Sequence, residues 1–355
     1  MDTTIDLSQQ IETLSYKLDQ FNSAFDSNTN QYTQRVVDNI NNIEYKSLDS
    51  FIKNGLVTKS NPLEFSDNTG KFLFSTKLYQ QIIDAIAIIS PIRQLADKDI
   101  ITSSSLDIIL QDGDFASGWV AHNARRDTTD APKLVKKTIP LHEIYAQPQT
   151  TKRILDDSVI DLSKWIINRL IYTFAREEGI AFLRGDGAEK PTGILHYIDK
   201  LGTTTLHKND TIVFEDVLEL INSMDDTYLA NATLLINRKT LSMLYGLQDK
   251  QGRFIWNPPI SDAMPQTILG IPVVCCDQLP TITPEETIGE DKMNAVIGIL
   301  ADFRQAYKII DGTRGITIMQ DHITNPPFVK FYATNRVGGD VVDIKAIKLL
   351  MAKSH

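Results

Sequence analysis

AFLRGDGAEKPTGIL, residues 181–195, follows the strongest helical pattern in the chain and holds three glycines within nine residues. Such a stretch is either a loop that cradles phosphate or a tight structural corner. A phosphate loop needs G-x-x-x-x-G-K-[ST] between a strand and a helix. Here Gly187 and Gly193 have the wrong spacing, and Gly193 is followed by Ile194. The stretch also follows a helix, so no helix N-terminus is aimed at an anion. The corner reading fits better. Gly185 lets the helix stop, Asp186-Gly187 makes one turn, and Pro191-Thr192-Gly193 makes another.

Upstream, Leu162, Ile166, Leu170 and Phe174 recur every four residues, with Trp165 and Thr173 beside them. This is one apolar stripe of a helix that Asp156 or Asp157 can cap, about 25 residues and about 40 Å long. Such a helix is a spar across a domain. Downstream, short helices alternate with short strands. TIVFEDVLELINSM reads as a helix with a capping-type start, and ATLLINRKTLSMLYGL as a strand then a helix. The segments GIPVVCC, NAVIGILADF, AYKIIDGTRGITIMQ and the run from Pro327 to Ala352 read as strands. Regular βαβ alternation is missing, so the fold class is α+β.

Residues 100–148 are β-like, with a polar middle from Asn123 to Pro132 that reads as the tip of a long hairpin. Arg125, Arg126, Lys133, Lys136 and Lys137 set five cations against Asp127 and Asp130, a net of plus three. A basic flap on an acidic chain suggests docking onto an acidic surface. At the N-terminus, Leu7, Ile11, Leu14, Leu18, Phe21 and Phe25 form a short heptad seam that predicts a helix pairing with its own copies or with a neighbouring surface. An extended linker at 56–72 follows, then a helix from Ser75 or Thr76 whose first segment ends at Ser90-Pro91.

The 355 residues carry a net charge of −9, which disfavours a dedicated nucleic-acid reader. Signal peptide and membrane span are both absent from the pattern. Cys275 and Cys276 are adjacent, so free thiols are expected. The six histidines form no zinc spacing, no G-x-S-x-G elbow exists, and carboxylate pairs such as Glu177-Glu178 are consecutive and do not face each other. The sequence therefore predicts no catalytic residue, no metal, no cofactor and no enzyme.

One resemblance covers the chain from about Glu44 onward. AREEGIAFLRGDGAEKPTGIL, together with SPIRQLA, GWV, IPLHEIYAQPQTTKRILDDS, WNPPI, ILGIPVV, LADFRQAYKIIDG and RVGGDVVDIKAIKLL in that order, resembles the tailed-bacteriophage major capsid proteins of the Hong Kong 97 fold. It looks more like the phage and gene-transfer-agent branch than the encapsulin branch, whose shells package protein cargo. After Trp119-Val120 the family usually has a small residue and then Glu, whereas this chain has Ala121-His122.

The resemblance implies a helical, scaffolding-like segment at 1–55, an N-arm at 56–74 and an E-loop hairpin at 106–147. It implies a P-domain from 75–105 and 148–210, with a spine helix at about 161–183. An A-domain would follow at 211–325, and strands at 326–355 would return to the P-domain. Arg125, Arg126, Lys133, Lys136 and Lys137 would dock the E-loop, and Trp165, Leu170 and Phe174 would build the spine. Gly185, Asp186, Gly187, Pro191 and Gly193 would turn the chain after it, and Arg336, Gly338 and Gly339 would form a C-terminal turn. The implied partners are identical subunits in hexamers and pentamers, a portal, a maturation protease, head–tail proteins and non-specifically packaged DNA, with no membrane. The implied location is a virion capsid assembled in the bacterial cytoplasm.

Overall fold

The computed structural model describes residues 71–73, 86, 89–113, 133–151, 153, 162–207, 211–248, 251–254, 256–257, 266–281, 292–313, 315–321 and 324–352. The N-terminal heptad, Trp119-Val120, and the tip with Arg125 and Arg126 lie outside them.

The strands and helices run in this order: β1 Lys71–Leu73, α1 Pro91–Leu95, β2 Asp97–Ile101, β3 Ser105–Asp112, β4 Lys133–Pro140, β5 His142–Ala146, β6 Gln149–Thr151 and α2 Leu162–Arg184. A 3-10 helix, Ile194–Lys200, leads into β7 Gly202–Thr205, α3 Phe214–Asn222, α4 Asp226–Leu229, β8 Thr233–Ile236 and α5 Arg238–Tyr245. The rest is β9 Trp256–Asn257, β10 Thr267–Ile268, β11 Ile271–Cys275, β12 Val296–Ala301, α6 Phe303–Ala306, β13 Tyr307–Gly312, β14 Thr317–Asp321, β15 Phe328–Val341 and β16 Ile347–Met351.

Two mixed sheets carry most of the strands. The first has the order β1-β14-β15-β13-β2, with β5 and β6 on the other edge of β15. The second has the order β7-β16-β12-β8-β11-β10-β9. β13 and β14, which fall in the 211–325 range of the sequence reading, pair with β15 in the first sheet. β16 pairs in the second sheet with β12 and with β7, which lies in the 148–210 range that the sequence reading gave the P-domain. The chain crosses between the sheets three times, after β6, after β12 and after β15.

α2 runs 23 residues, close to the range expected. Its buried residues, Leu170, Ile171, Phe174, Ala175, Glu178, Phe182 and Leu183, form one stripe along the helix. Trp165 lies in the same helix. Phe182 and Leu183 join Ile194, Leu195 and Ile198 in a core that reaches Ile309 and Val337 of the first sheet and Leu235, Ile299 and Leu349 of the second. The other face of the second sheet, with Leu234, Ile236, Leu300 and Leu350, packs on Val217 and Leu220 of α3 and Leu241 and Leu244 of α5. A sheet covered on both sides explains why β8 and β12 are buried at every residue.

The helix starts are where their caps put them. The buried Asp216 carboxylate accepts the amides of Val213 (2.7 Å) and His207 (2.9 Å) at the start of α3. Asn237 accepts the Lys239 amide at 2.9 Å to open α5, while its own amide donates to Leu279 O at 2.7 Å. Pro91 opens α1, where a missing N–H costs nothing.

Candidate assembly surface

The corner after α2 is closed by its own backbone. The Gly185 amide donates to Ala181 O at 2.8 Å, and the Gly193 amide to Gly185 O at 2.9 Å. Asp186 and Thr192 form an isolated antiparallel bridge, and the Ala188 amide donates to Asp186 Oδ1 at 3.1 Å. Gly187 has φ +80°, which glycine adopts without strain. Pro191 is buried. No ligand geometry is built here; the stretch is a clasp.

The clasp is tied to both neighbouring strands of the first sheet. The Thr192 amide donates to Gly339 O at 2.9 Å, and Tyr307 Oη donates to Thr192 O at 2.7 Å. The Tyr307 ring meets Phe182 edge-on at 5.7 Å. Arg336, Gly338 and Gly339 therefore correct the sequence reading. They are not a turn but the interior of β15, the longest described strand. Gly339 leaves room for Tyr307, whose hydroxyl would lie 2.6 Å from an added Cβ. Gly338 lets β15 pass the hairpin base, where an added Cβ would sit 2.3 Å from Pro140 O. Arg336 is exposed.

β3 and β4 form a hairpin paired from Ser105↔Pro140 to Asp112↔Lys133 and belonging to neither sheet. Register puts Leu106, Ile108, Leu110, Val135, Lys137 and Ile139 on one face. Ile139 is fully buried at the base, but burial fades outward. Ile109 and Leu134, on the other face, are 68% and 69% exposed. A two-stranded ribbon with exposed apolar residues on a water-facing side gains little from its own subunit.

The three described cations of the hairpin behave differently from one another. Lys133 is exposed. Lys136 pairs across the ribbon with Asp107 at 2.9 Å, both in solvent. Lys137, read from sequence as a docking cation, is corrected: its ammonium is engaged inside its own subunit. It contacts Asp340 Oδ1 at 2.9 Å, donates to Val341 O at 2.5 Å and Tyr197 Oη at 3.1 Å, and lies 4.9 Å from the centre of the Tyr197 ring. Charge counting along the sequence could not separate these roles, because strand register decides which way each lysine faces.

Sequence reasoning also missed a buried ionic cluster. Arg93 of α1 is completely buried and grips two carboxylates. Its Nε donates to Glu178 Oε2 at 2.9 Å, while its two terminal nitrogens donate to Asp311 Oδ2 and Oδ1 at 2.8 and 3.0 Å. The guanidinium lies 5.9 Å from the centre of the Phe182 ring. Burial alone would lower the Arg93 pKa, but the two carboxylates outweigh it and keep the group charged. Burial pushes Glu178 up to about 7, Asp311 adds to the rise, and Arg93 opposes it. The partners lie 85 and 218 positions from Arg93. The only sequence signal was a glutamate at a core position of the α2 stripe.

Among the described residues no group of three His, Cys, Asp or Glu side chains could hold a metal, and no helix is long and apolar enough to cross a membrane. The two cysteines are free thiols, and burial raises Cys276 to about 11. An open groove lies between α2 and β5, lined by Arg169, Leu170, Thr173, Ile180 and Tyr145.

A clasped spar helix, a long strand shared by its neighbours and a ribbon standing off the body agree with the comparisons. A model of the phage capsid family matches residues 70–351. The chain belongs to that family. Its structure is similar to the capsid of a native GTA (gene transfer agent) particle, with 32% identity and a TM-score of 0.63 over 74% of this chain and 90% of that one. The capsid of the empty GTA particle gives 31% and 0.64, over 74% and 89%. The capsid chain of Gordonia phage Cozz, at 12% identity and a TM-score of 0.55 over 75% and 87%, shares the fold. No curated protein matches the chain in sequence. This is a major capsid protein with the α+β Hong Kong 97 fold, and forming a shell is its function.

Proposed function

We propose that this capsid protein joins identical copies in hexamers and pentamers to build the icosahedral head of a tailed phage, prophage or gene transfer agent. The observation that carries this reading is 32% identity to a GTA capsid over 90% of that chain. In this reading α2 is the spine of the P-domain and the β3–β4 ribbon is the E-loop. The second sheet, with α3 and α5, belongs to the A-domain that clusters around symmetry axes, and residues 56–74 form the N-arm. The role is structural rather than enzymatic. The ribbon gains its burial from a neighbouring subunit, and each such contact can be weak because a closed shell repeats it many times. Arg125, Arg126 and Lys133 steer that contact by charge. The acidic net charge keeps packaged DNA from sticking to the wall. Portal, maturation protease and head–tail proteins complete the particle, which assembles in the bacterial cytoplasm.

The chain expressed alone should give uniform rings or hollow particles by negative-stain electron microscopy, with a matching early peak in size exclusion. A monomer at every concentration and salt would overturn unaided assembly. The double variant Ile109→Asp with Leu134→Asp should abolish the particles while circular dichroism and thermal unfolding stay those of the parent, because both side chains are solvent-facing within the subunit. Particles of parental size and yield from that variant would remove the ribbon from the assembly contact.

A further inference from the structure

The base of the ribbon is held at two places, and only the second is ionic. The first is the close approach of Pro140 to Gly338, backbone against backbone. The second is Lys137, three residues further out along β4, which is about 10 Å at the rise of a strand. There the ammonium meets Asp340 and Val341 of β15 and Tyr197 of the 3-10 helix, three partners from two elements of the body. Asp340 is itself held by the Val341 amide at 2.7 Å and by Tyr197 Oη at 2.9 Å, so the anion cannot follow a moving lysine. The Lys137 side chain is 21% exposed. Beyond it Val135, Leu134 and Ile109 are exposed. Among the described residues, Lys137 is therefore the outermost residue of β4 anchored to the body.

A two-stranded ribbon held at one point can swing about it. Held at two points that far apart, it leaves in one direction. We infer that Lys137 is a positioning residue that fixes the angle at which the ribbon leaves the body, and so the orientation in which Ile109 and Leu134 are offered to a second copy. The assembly half of this inference rests on the shell-forming reading above; the angular half does not. A half-buried ion pair is screened by salt much less than Lys136–Asp107, so the angle should survive salt concentrations that weaken surface pairs. The charge serves to hold direction rather than to attract the neighbour.

The test uses the unassembled full chain carrying Cys275→Ala and Cys276→Ala, with spin labels on Leu134→Cys and Glu219→Cys, both positions exposed. Pulsed dipolar spectroscopy then reads the ribbon-to-body distance. Lys137→Met, which keeps the stem and loses the charge, should give a distribution about twice as wide or wider. Lys136→Met removes the same charge one residue away without a body contact and should leave the distribution narrow. Far-ultraviolet circular dichroism must match the parent in both. A narrow distribution in Lys137→Met, or equal broadening in both variants, overturns the inference. In label-free chain, Lys137→Met should turn a single particle size into a mixture of sizes and open sheets. Broadened distances with particles as uniform as the parent's would overturn the assembly half. If the parent itself stays monomeric, unaided assembly fails, and the distance measurement still decides the angle.

Discussion

Arg93→Met is expected to destabilise the subunit by about 3–5 kcal/mol, the range for removing one partner of a buried ionic cluster. The loss is not the attraction of one ion pair. It is the penalty of leaving Glu178 and Asp311, both within the core, without a cation. Met fills similar space to the Arg stem, so packing against Phe182 is largely kept and the charge effect is isolated. Urea denaturation monitored by circular dichroism would read it. A loss below about 1 kcal/mol, the scale of an exposed pair, would mean that water reaches the cluster.

The cluster also sets a pH dependence. One guanidinium faces two carboxylates, so the fully ionised cluster carries a net negative charge in the core. Glu178 Oε1 has no hydrogen-bond partner, which leaves this carboxylate the less satisfied of the two. Its folded pKa of about 7 lies above its ordinary 4.5, so the folded chain binds the proton more tightly than the unfolded chain. Stability contributed this way is complete below about 4.5 and is lost as pH rises through about 7. His207, raised by its hydrogen bond to Asp216 and then by that group's charge, adds a loss of the same sign as pH rises through its own elevated value. The diagnostic is therefore a difference. Glu178→Gln should flatten the decline between about pH 4.5 and 7 relative to the parent, and His207→Asn should leave the Glu178 part in place. An unchanged slope in Glu178→Gln would assign the titration elsewhere.

How much of this was legible in the sequence follows from the range of each interaction. The α2 stripe was readable because Leu170 and Phe174 sit one turn apart, and the corner because Gly185 and Gly193 break a helix locally. The ribbon was readable because its alternation survives even where one face is exposed. Gly338-Gly339 misled because paired glycines usually mark a turn. In β15 they instead make room for Pro140 and Tyr307, which come from other elements. The sheet order was not legible, since nothing local to Ile347–Met351 distinguishes a place beside β12 from one beside β15. The Arg93 cluster was illegible for the same reason: its three members are brought together by the core, not by spacing.

Gly185→Ala is expected to cost more than about 4 kcal/mol, or to prevent folding altogether. A Cβ there would lie 1.9 Å from Pro191 O and 2.5 Å from Ala181 O. Both are backbone atoms, and neither can rotate away as a side-chain tip could. Ala181 O accepts the Gly185 amide that closes the helix, and Pro191 precedes the Thr192 that holds Gly339 and Tyr307. Relief of the clash would open the clasp and, with it, the junction of α2 with β13 and β15. Gly246→Ala is the matched control. Gly246 ends α5 with φ −81° and ψ −5°, which alanine adopts freely, and an added Cβ would come no closer than 3.9 Å to Met243 O. That variant should be stabilised by roughly 0.4–1 kcal/mol through loss of unfolded-state entropy. Soluble yield and thermal unfolding of the two variants side by side would check both signs. If Gly185→Ala proved as soluble and stable as Gly246→Ala, the corner would not be the clasp that joins the spar to the sheet.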